Sequence, residues 1–571
     1  MLFSELSRYF EQLEGTASRL KMTEILAEVF KAASAEEIGE ICYLSLGRLV
    51  PHYESLEFNL ADKMVMRAVA EAVGKDKEQV LKEYKKIGDL GLVAEKLKID
   101  NGPHFAKASR GKKLTVLDVY GKLKGIAEDG GQGSQERKVH GLAELFKGVD
   151  AVGAKYVARM VVGRLRLGFS VMTIIDALSW MKKGDKSLRG ELEQAYYVRA
   201  DIGALAREVK RTPLRQGFVG QVKPELGVPI MPALCQRLKT ADEMIAKMGK
   251  VAVEPKFDGT RVTIHIGKNL LRTFTRNLEE TTHMFPELLE AHKEVKAESV
   301  ILDSEAVGVD PKTGKLMSFQ ETIIRKRKHM IAEASLRVPL KFFVFDVLYV
   351  DGRSLLDKPQ RERREILKKI LQPKKVFELA EEIVTDDPKV LRKYHHQKLQ
   401  EGLEGAVVKK IDGEYIPGRR GWNWVKFKEE ETAAGGLSDT LDCVVMGYYR
   451  GKGKRTGFGL GAFLVGVRKG DQFLTIAKIG TGLSDAQWRE LKTRITNYES
   501  RIMPKQYTVH KSLVPDVWVE PNLVVEIAAD NLTNSPNHSA KLALRFPRLV
   551  RFRDDKNPGQ VTSVEEVGMI H

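Results

Sequence analysis

Cysteine is scarce in this chain, which has 571 residues and three cysteines, Cys42, Cys235 and Cys443. Thiols so few and so far apart exclude a disulfide framework and a cysteine-rich zinc site. Because disulfide bonds persist mainly in oxidising compartments, their exclusion favours a reducing one. We therefore predict a cytoplasmic protein.

Long apolar runs are also missing. The apolar stretch Leu167 to Ile175, which carries no charge, has only nine residues, whereas a membrane-spanning helix needs about 20. The first residues contain an acid at Glu5 and lack the basic start and apolar core of a secretory signal. We therefore predict that the protein has no transmembrane segment and does not associate with a membrane.

Positive charge is in excess: 94 Lys and Arg residues against 77 Asp and Glu residues give a net charge of +17. A surplus of this size attracts polyanions, of which nucleic acid is the commonest inside cells. Charge alone leaves open a generally basic protein without such a partner, and it indicates no chemistry. At about 150 residues per domain, the length predicts three or four folded units.

The residues up to 222 have helical periodicity. Positions 34–37, Ser-Ala-Glu-Glu, form a capping-box pattern that predicts the start of a helix. The glycine-rich segment 128–135 predicts a turn between two helices. One predicted helix face consists of apolar residues spaced i, i+3, i+4, i+7 and i+8: Met22, Ile25, Leu26, Val29 and Phe30.

The sequence pattern changes from helical to strand-like after a proline-containing stretch at 224–232. Runs of β-branched and aromatic residues at 261–267, 300–303 and 340–350 predict strands. Helical pieces lie between such strands, and the basic segment 361–371 is one of them. This part of the chain is therefore predicted to be mixed α and β.

A second break comes at 432–438, Thr-Ala-Ala-Gly-Gly-Leu-Ser. Short strands separated by glycine-rich turns follow it, and this pattern indicates a small barrel. The predicted fold class is multidomain α+β. The predicted domains are an all-α domain at 1–222, an α+β domain at 223–432 and a small β-barrel domain at 433–571.

The segment Val253-Glu-Pro-Lys-Phe-Asp-Gly-Thr-Arg261 lies directly before a predicted strand. Its Lys256 is a candidate nucleophile, because a lysine amine attacks electrophiles once it is deprotonated. The ordinary lysine pKa of about 10.4 would have to be lowered by neighbouring cations or by desolvation. The four-residue pattern Lys-x-Asp-Gly is weak alone, and a surface turn is its simpler interpretation.

Further segments that suit a nucleotide follow in order. Arg276 suits a sugar or a phosphate, Glu305 at a strand end suits a ribose hydroxyl or a metal ion, and Phe345 suits stacking on a base. Glu404 and Lys409 again place a carboxylate and a lysine around a predicted strand. Each segment alone is more often a solvated or core strand end.

The last of these segments is Arg420-Gly-Trp-Asn-Trp-Val-Lys426-Phe-Lys428. Two lysines at i and i+2 on a strand point the same way, toward one phosphate group. By contrast, the pair His395-His396 lacks metal-ligand spacing, and we predict that both are exposed on a helix.

Together these segments closely resemble the nucleotidyltransferase motifs of ATP-dependent DNA ligases, a family related to RNA ligases and mRNA capping enzymes. Segments 441–455, 478–484 and 544–556 resemble motifs of the ligase OB domain. Segments 133–138 and 163–168 resemble the DNA-binding domain of the cellular DNA ligase I type, found in archaea and eukaryotes. The resemblance covers all three predicted units and identifies them as DNA-binding, adenylation and OB-fold domains.

The resemblance implies an enzyme that seals nicks in duplex DNA through a lysyl-AMP and a 5′-adenylated DNA intermediate, in replication, repair and recombination. Lys256 would carry the AMP. Glu254 would read the adenine and Phe345 would stack on it. The full set of ATP-binding residues that the resemblance implies is Glu254, Arg261, Arg276, Glu305, Phe345, Arg420, Lys426 and Lys428.

The resemblance also implies Mg²⁺ (or Mn²⁺) near Glu305 and Glu404, and DNA contacts by Arg164 and Arg166. It implies a monomer that binds nicked double-stranded DNA and allows a sliding clamp as a further partner, although no clamp-binding motif is recognisable. Ala406-Val407 stands where ligases often carry Leu-Met, a change between apolar strand residues. The OB-domain residues that would orient the leaving pyrophosphate are Arg551, Arg553, Asp554 and Lys556.

Three other functions compete with this interpretation. RNA ligases and capping guanylyltransferases share the lysine chemistry, but the long helical domain argues against both. NAD-dependent ligases carry a zinc finger, which three scattered cysteines cannot supply. A catalytically silent nucleic-acid-binding protein would not need the intact set of Lys256, Glu305, Glu404, Lys426 and Lys428.

Overall fold

The computed structural model describes residues 1–100, 113–165, 167–212, 222–317, 319–322, 325, 335, 337–427, 440–451, 458–481, 483–529 and 531–569. The chain divides into two compact units, residues 1–427 and 428–571. The first unit contains the helical part and the α+β part of the sequence. The predicted boundaries at 222/223 and 432/433 stay predictions.

The helical part forms as its periodicity and caps predict. The predicted apolar face lies on one helix, Arg19–Ala32, and is buried throughout. Ser34 and Glu37 exchange the two hydrogen bonds of a capping box directly before the next helix. The helices are α1 (Phe3–Glu14), α2 (Arg19–Ala32), α3 (Ile38–Ser45), α4 (Asp62–Val73), α5 (Lys77–Ile87), α6 (Leu90–Asp100), α7 (Val116–Glu128), α8 (Ser134–Gly148), α9 (Ala151–Val161), α10 (Val171–Lys183), α11 (Arg189–Val198) and α12 (Ile202–Arg211).

Two sheets form the α+β part, and in each the order of the strands differs from their order along the chain. The first sheet has the order β1-β11-β10-β2-β9, and the second has β4-β3-β5-β6-β7, with β8 paired to β6. These strands are β1 (Leu234–Arg237), β2 (Val251–Pro255), β3 (Thr260–Gly267), β4 (Leu270–Thr275), β5 (Val300–Gly308), β6 (Leu340–Val350), β7 (Arg353–Ser354), β8 (Phe377–Leu379), β9 (Ile383–Thr385), β10 (Ala406–Lys410) and β11 (Arg420–Phe427).

Helices cover the outer face of each sheet, so the inner faces are left for polar side chains. Met244 and Leu391 pack against the outer face of the first sheet, and Leu367 packs against that of the second. These helices are α13 (Ala241–Met248), α15 (Gln360–Ile370) and α16 (Pro388–Gln400), and a short helix α14 spans Phe319–Thr322. Because side chains alternate along a strand, the residues facing the cleft between the sheets are every second one.

The helical part packs against the α+β part. Val198, the last residue of α11, shares an apolar cluster with Tyr415 and Trp424. The backbone N–H of Met231 donates to the carbonyl oxygen of Tyr197 (2.8 Å), and that of Ala200 donates to Pro229 (3.1 Å). The helical and α+β parts therefore form one compact unit.

The C-terminal unit is a curled, strand-rich fold, as predicted for an OB domain. An eight-stranded sheet has the path β15-β17-β12-β13-β14-β16, with β18 joined to β12 and β21 to β18. Trp488, Leu491 and Ile495 of helix α17 (Asp485–Thr496) are buried in its core. The remaining elements are β12 (Leu441–Tyr449), β13 (Ala462–Lys469), β14 (Gln472–Ile479), β15 (Glu499–Ser500), β16 (Tyr507–Thr508), β17 (Val517–Val519), β18 (Val524–Ala528), β19 (Asn531–Asn534), β20 (Leu542–Arg545), β21 (Arg548–Phe552) and α18 (Val564–Met569).

The sequence predictions for these elements are confirmed. The predicted strand at 340–350 is β6 with the same bounds, and the basic helix predicted at 361–371 is α15 at 360–370. The predicted break at 432–438 lies outside the described residues. No helix in the described ranges is long and apolar enough to cross a membrane.

One buried ion pair ties α15 to the second sheet. Arg363 is fully buried and donates to both carboxylate oxygens of Asp346 at 2.8 and 3.0 Å. On the same helix, Arg361 forms an exposed pair with Asp412. The two arginines thus offer a buried and an exposed ion pair for comparison.

We predict that Arg363→Met destabilises the first unit by about 3–5 kcal/mol, because it leaves the Asp346 carboxylate buried without its partner. Arg361→Met should change stability by less than about 0.5 kcal/mol. Thermal unfolding of both full-length variants measures the difference. Equal melting temperatures would show that the buried pair does not hold α15 in place.

Candidate active site

Lys256 directly follows β2, where the first sheet meets the end of the α16–β10 loop. Its backbone N–H donates to the carbonyl oxygen of Gly405 (2.9 Å), and the N–H of Glu404 donates to the carbonyl oxygen of Lys256 (3.1 Å). The side chains also meet, with 2.5 Å between Lys256 Nζ and Glu404 Oε2. Both side chains are about three-quarters buried, at 25% and 23% exposure. This junction fixes the amine beside a carboxylate at the edge of the cleft.

Glycine is required at two points beside Lys256. Gly405 has φ +117°, and a Cβ there would lie 2.4 Å from the carbonyl oxygen of Phe427. A Cβ at Gly259 would lie 2.4 Å from the carbonyl oxygen of Ala306 and 2.9 Å from Glu305 Cγ. These separations are far below van der Waals contact, so only glycine lets the strands approach this closely.

Glu305 faces the cleft from β5, opposite Arg261 of β3. Burial raises the pKa of its carboxyl group to about 7, and the charge of Glu404 acts in the same direction. The positive charge of Lys256 opposes this rise most strongly among its neighbours. Glu305, on the second sheet, and Glu404, in the loop before β10, thus both lie within electrostatic range of Lys256.

A buried charged pair lies deeper in the cleft. Lys409 is 1% exposed, and its Nζ lies 2.8 Å from the carboxylate of Glu254 and donates to the carbonyl oxygen of Phe345 (3.0 Å). Burial raises the pKa of Glu254 to about 7, while Lys409 acts against that rise. The ammonium also lies over the rings of Phe345 and Trp424. One lysine therefore connects the two sheets behind Glu254 and Phe345.

Arg261 belongs to a hydrogen-bonded network on the cleft wall. It donates to both carboxylate oxygens of Asp303, at 3.0 and 2.6 Å, and to the carbonyl oxygen of Ala233. The Tyr415 hydroxyl donates to the same Asp303 (2.8 Å). The guanidinium lies near the Phe345 ring, 5.5 Å from its centroid. Its orientation is therefore set by the protein.

The remaining predicted nucleotide residues occupy different places. Lys426 lies in one cross-strand row with Val407 and Glu254, so its side chain leaves the same face of the sheet. Arg420 is exposed at the beginning of β11, and Arg276 is exposed directly after β4. Lys428 lies outside the described residues.

Three of the four predicted residues of the C-terminal unit belong to one ion-pair network. Arg551 pairs with Glu526 (2.6 Å), while Arg553 (2.9 Å) and Lys556 (2.6 Å) both pair with Asp442. These two acids were missed by sequence reasoning, although Asp442 lies within the segment that resembles the start of the OB domain. Asp554, the fourth predicted residue, instead pairs with Arg494 of α17 (2.5 Å).

The DNA-contact predictions lie in the helical part. Arg164 is exposed, and its Nη1 is 3.7 Å from Asp62. Arg166 lies outside the described residues. The exposed position of Arg164 is compatible with a phosphate contact.

The prediction that His395 and His396 are both exposed is half wrong. His396 is exposed, but His395 is buried and stacks on the Phe427 ring at a centroid distance of 4.0 Å. His395 lies on the inward face of α16, beside Tyr394 and Leu391. Its spacing from these two residues indicates burial, whereas the prediction considered only metal-ligand spacing. His395 packs behind Gly405 and so supports the junction at Lys256.

The two carboxylates beside Lys256 have the chemistry that Mg²⁺ prefers. Mg²⁺ is commonly held by one or two carboxylates together with substrate phosphates. Within the described ranges there is no group of three or more side chains that could hold a metal ion. Glu305 and Glu404 therefore fit a magnesium ion that phosphate oxygens help to bind, but not a closed structural metal site.

A lysine paired with a carboxylate, in a two-sheet cleft with aromatic and cationic side chains, suits nucleotidyl transfer through a lysine. Comparison with known protein families gives an enzyme class that uses this chemistry. Residues 2–179, 232–428 and 456–556 match the DNA ligase N terminus, the ATP dependent DNA ligase domain and the ATP dependent DNA ligase C terminal region.

Relatives extend over nearly the whole chain. A probable DNA ligase of Dictyoglomus thermophilum is 41% identical, covering 99% of this chain and 97% of the relative. A DNA ligase of Pyrobaculum islandicum is 38% identical, covering 99% and 98%. A solved structure named Pmar-Lig_PreS3 shares the fold, with a TM-score of 0.52, 18% identity and coverage of 96% of this chain and 99% of that one. The chain belongs to the ATP-dependent DNA ligase family, and it is an enzyme of that class.

We predict that Gly405→Ala slows the attachment of AMP to the protein by about a hundredfold or more, because displacing β10 moves Glu404 away from Lys256. Gly402→Ala is the matched control. Gly402 lies in the same loop with φ +83°, but a Cβ there meets nothing within 4 Å. It should cost about 1–2 kcal/mol of stability and leave labelling by α-labelled ATP nearly intact. Equal labelling of both variants would mean that the close approach at Gly405 is not needed.

Proposed function

We propose that Lys256 is the residue that accepts AMP from ATP. The observation that supports this most strongly is its ion pair with Glu404, within electrostatic range of Glu305 of the second sheet. In the first step, the deprotonated Nζ attacks the α-phosphorus, a nitrogen–phosphorus bond forms, and the bond to the pyrophosphate oxygen breaks. After the attack the nitrogen loses one of its two remaining protons to water, and pyrophosphate leaves with the electron pair of the broken bond.

We assign the nucleotide contacts as the family resemblance implies. Glu254 accepts a hydrogen bond from the adenine amine, and the Phe345 ring stacks on the base. Buried behind both, Lys409 supports the positions of this carboxylate and this ring. The ribose and phosphates are bound by the remaining residues: Arg261, Arg276, Glu305, Arg420, Lys426 and Lys428.

Mg²⁺ (or Mn²⁺) is the proposed metal cofactor, and Glu305 and Glu404 are the residues that would hold it. When bound, such an ion neutralises charge on the reacting phosphates. The cationic side chains Lys426 and Arg261 act in the same direction from the protein. Their fixed positions supply electrostatic stabilisation without reorganisation during the step.

In the later steps, the 5′-phosphate of nicked DNA takes the AMP from Lys256, and the 3′-hydroxyl then attacks that phosphate and releases AMP. We propose that Arg164 and Arg166 contact the duplex backbone, with the net charge of +17 supporting this attraction. We infer a monomer that acts in the cytoplasm, in replication, repair and recombination. A sliding clamp stays a predicted partner from the family resemblance.

The cations of the C-terminal unit have a proposed role in the first step. Arg551, Arg553 and Lys556 orient the pyrophosphate of ATP in line with Lys256, with Asp554 as part of the same motif. The positive charge of these side chains and their place in one ion-pair network support this role. In the second and third steps no pyrophosphate is left to orient.

We predict that Lys256→Arg abolishes labelling of the protein by α-labelled ATP. Arginine keeps the charge, but its guanidinium stays protonated and cannot act as an amine nucleophile. Lys247→Arg, which changes an exposed lysine over Trp422, is the control and should label normally. An AMP adduct at another lysine of the Lys256→Arg variant would overturn the assignment. Labelling with α-labelled GTP instead of ATP would indicate a capping-type enzyme.

We predict that Arg551→Ala lowers the rate of Lys256 labelling at least tenfold, the usual scale for losing one charged contact in a transition state. The same variant should seal a synthetic 5′-adenylated nick at nearly the normal rate. Arg501→Ala, which removes an exposed arginine of the same unit, is the control for both assays. An equal loss of labelling and sealing in Arg551→Ala would exclude a role confined to the first step.

A further inference from the structure

Two carboxylates face each other in the C-terminal unit at a place where their charges would repel. Asp442 of β12 and Glu526 of β18 are directly paired in register, and their side chains are only 13% and 12% exposed. Like charges directly opposite on neighbouring strands destabilise a sheet. Cations must therefore be held against this pair for the sheet to be stable there.

Those cations are three of the four predicted pyrophosphate-orienting residues: Arg551, Arg553 and Lys556. The Arg553 guanidinium donates from Nη1 to both oxygens of Asp442 (2.9 and 3.2 Å) and from Nη2 to Asp555 (2.7 Å). Lys556 donates to Asp442 Oδ2 (2.6 Å). Asp442 thus binds two cations at once, from two positions of the segment that follows β21.

The three cations differ in how much of each remains accessible. Arg553 is 13% exposed and is surrounded by acids, whereas Lys556 is 30% and Arg551 is 64% exposed. Arg551 uses Nε toward Glu526 (2.6 Å), and the Thr440 hydroxyl donates to the other oxygen of Glu526 (2.7 Å). Arg551 and Lys556 are therefore the accessible members, and Arg553 is a bridge beneath them.

We propose that Asp442 is a positioning residue for the attachment of AMP to Lys256: it fixes Arg553 and Lys556 so that Lys556 and Arg551 meet the pyrophosphate of ATP together. This inference rests on the proposed role of the C-terminal cations in the first step. It assigns a function to an acid that does not itself touch the nucleotide. Glu526 has the equivalent role for Arg551.

The physical reason lies in the cost of orienting flexible side chains. A lysine or arginine held by a nearly buried carboxylate loses its freedom before the substrate arrives, so less must be lost in the transition state. A carboxylate also competes with pyrophosphate for the same cation, and this effect acts in the opposite direction. The sign of the change on removing Asp442 distinguishes the two effects.

The test uses full-length Asp442→Asn, which keeps the shape of the side chain and removes its charge. We expect the maximal rate of Lys256 labelling to fall between about ten- and a hundredfold, the scale of a misplaced catalytic contact. The KM for ATP should change little, because the residues assigned to the base and ribose all lie at or before residue 428. Sealing of a 5′-adenylated nick should stay within about twofold of normal, since that step lacks pyrophosphate.

Matched variants keep the result interpretable. Asp471→Asn, an exposed acid in the turn between β13 and β14, is the control and should leave both assays unchanged. Asp442→Glu keeps the charge and should recover part of the labelling rate. Adding Asp442→Asn to Lys556→Ala should reduce the rate by less than the product of the two single losses, because the residues act together.

Several results would overturn the proposal. Faster labelling by Asp442→Asn would mean that the acid competes with pyrophosphate. An equal loss in labelling and in sealing would mean a folding or DNA-binding defect. If Asp442→Asn fails to fold, Glu526→Gln provides the same comparison through Arg551. If Arg551→Ala itself labels normally, the proposed role of the C-terminal cations fails, whereas a normal Asp442→Asn beside a slow Arg551→Ala contradicts only this inference.

Discussion

Two backbone hydrogen bonds between Lys256 and the segment 404–405 are the constraint on which the cleft depends. They join the end of β2 to the start of β10, so the lysine and Glu404 move as one body. Glycine at 405 permits this contact, and His395 supports it from behind. The backbone therefore sets most of the position of the Lys256 amine. Only the last rotatable bonds of the side chain remain to be ordered.

Charge compensation is the second principle of this structure. The buried pairs Lys409–Glu254, Arg261–Asp303 and Arg363–Asp346 each connect elements that come from different parts of the chain. Burying a charge is costly unless it is paired and hydrogen-bonded, so each pair tolerates few alternative arrangements. Lys409 also donates to the carbonyl oxygen of Phe345 and so connects the first sheet to the second.

Much of this architecture was predictable from the sequence. The periodicity of apolar residues predicted α2 and β6. Buried residues recur about every 3.6 positions along a helix and every two positions along a strand. The motif residues were found because their order in the chain resembles a known family. Asp442 and Tyr415 were missed, since their roles depend on partners more than 100 residues away. Lys409 was noticed but received no role, because a strand lysine is usually solvated and only the fold reveals its burial.

The packing of Val198 against Tyr415 and Trp424 limits how freely the helical part can be exchanged between related enzymes. A side chain of the helical part completes the apolar support behind the nucleotide cleft, and Tyr197 fills the space beside Gly418. Exchange of the helical part between relatives would therefore bring a foreign surface against the nucleotide cleft. A functional exchange of the helical part, in the laboratory or in evolution, would therefore have to transfer the end of α11 and the loop around Gly418 together.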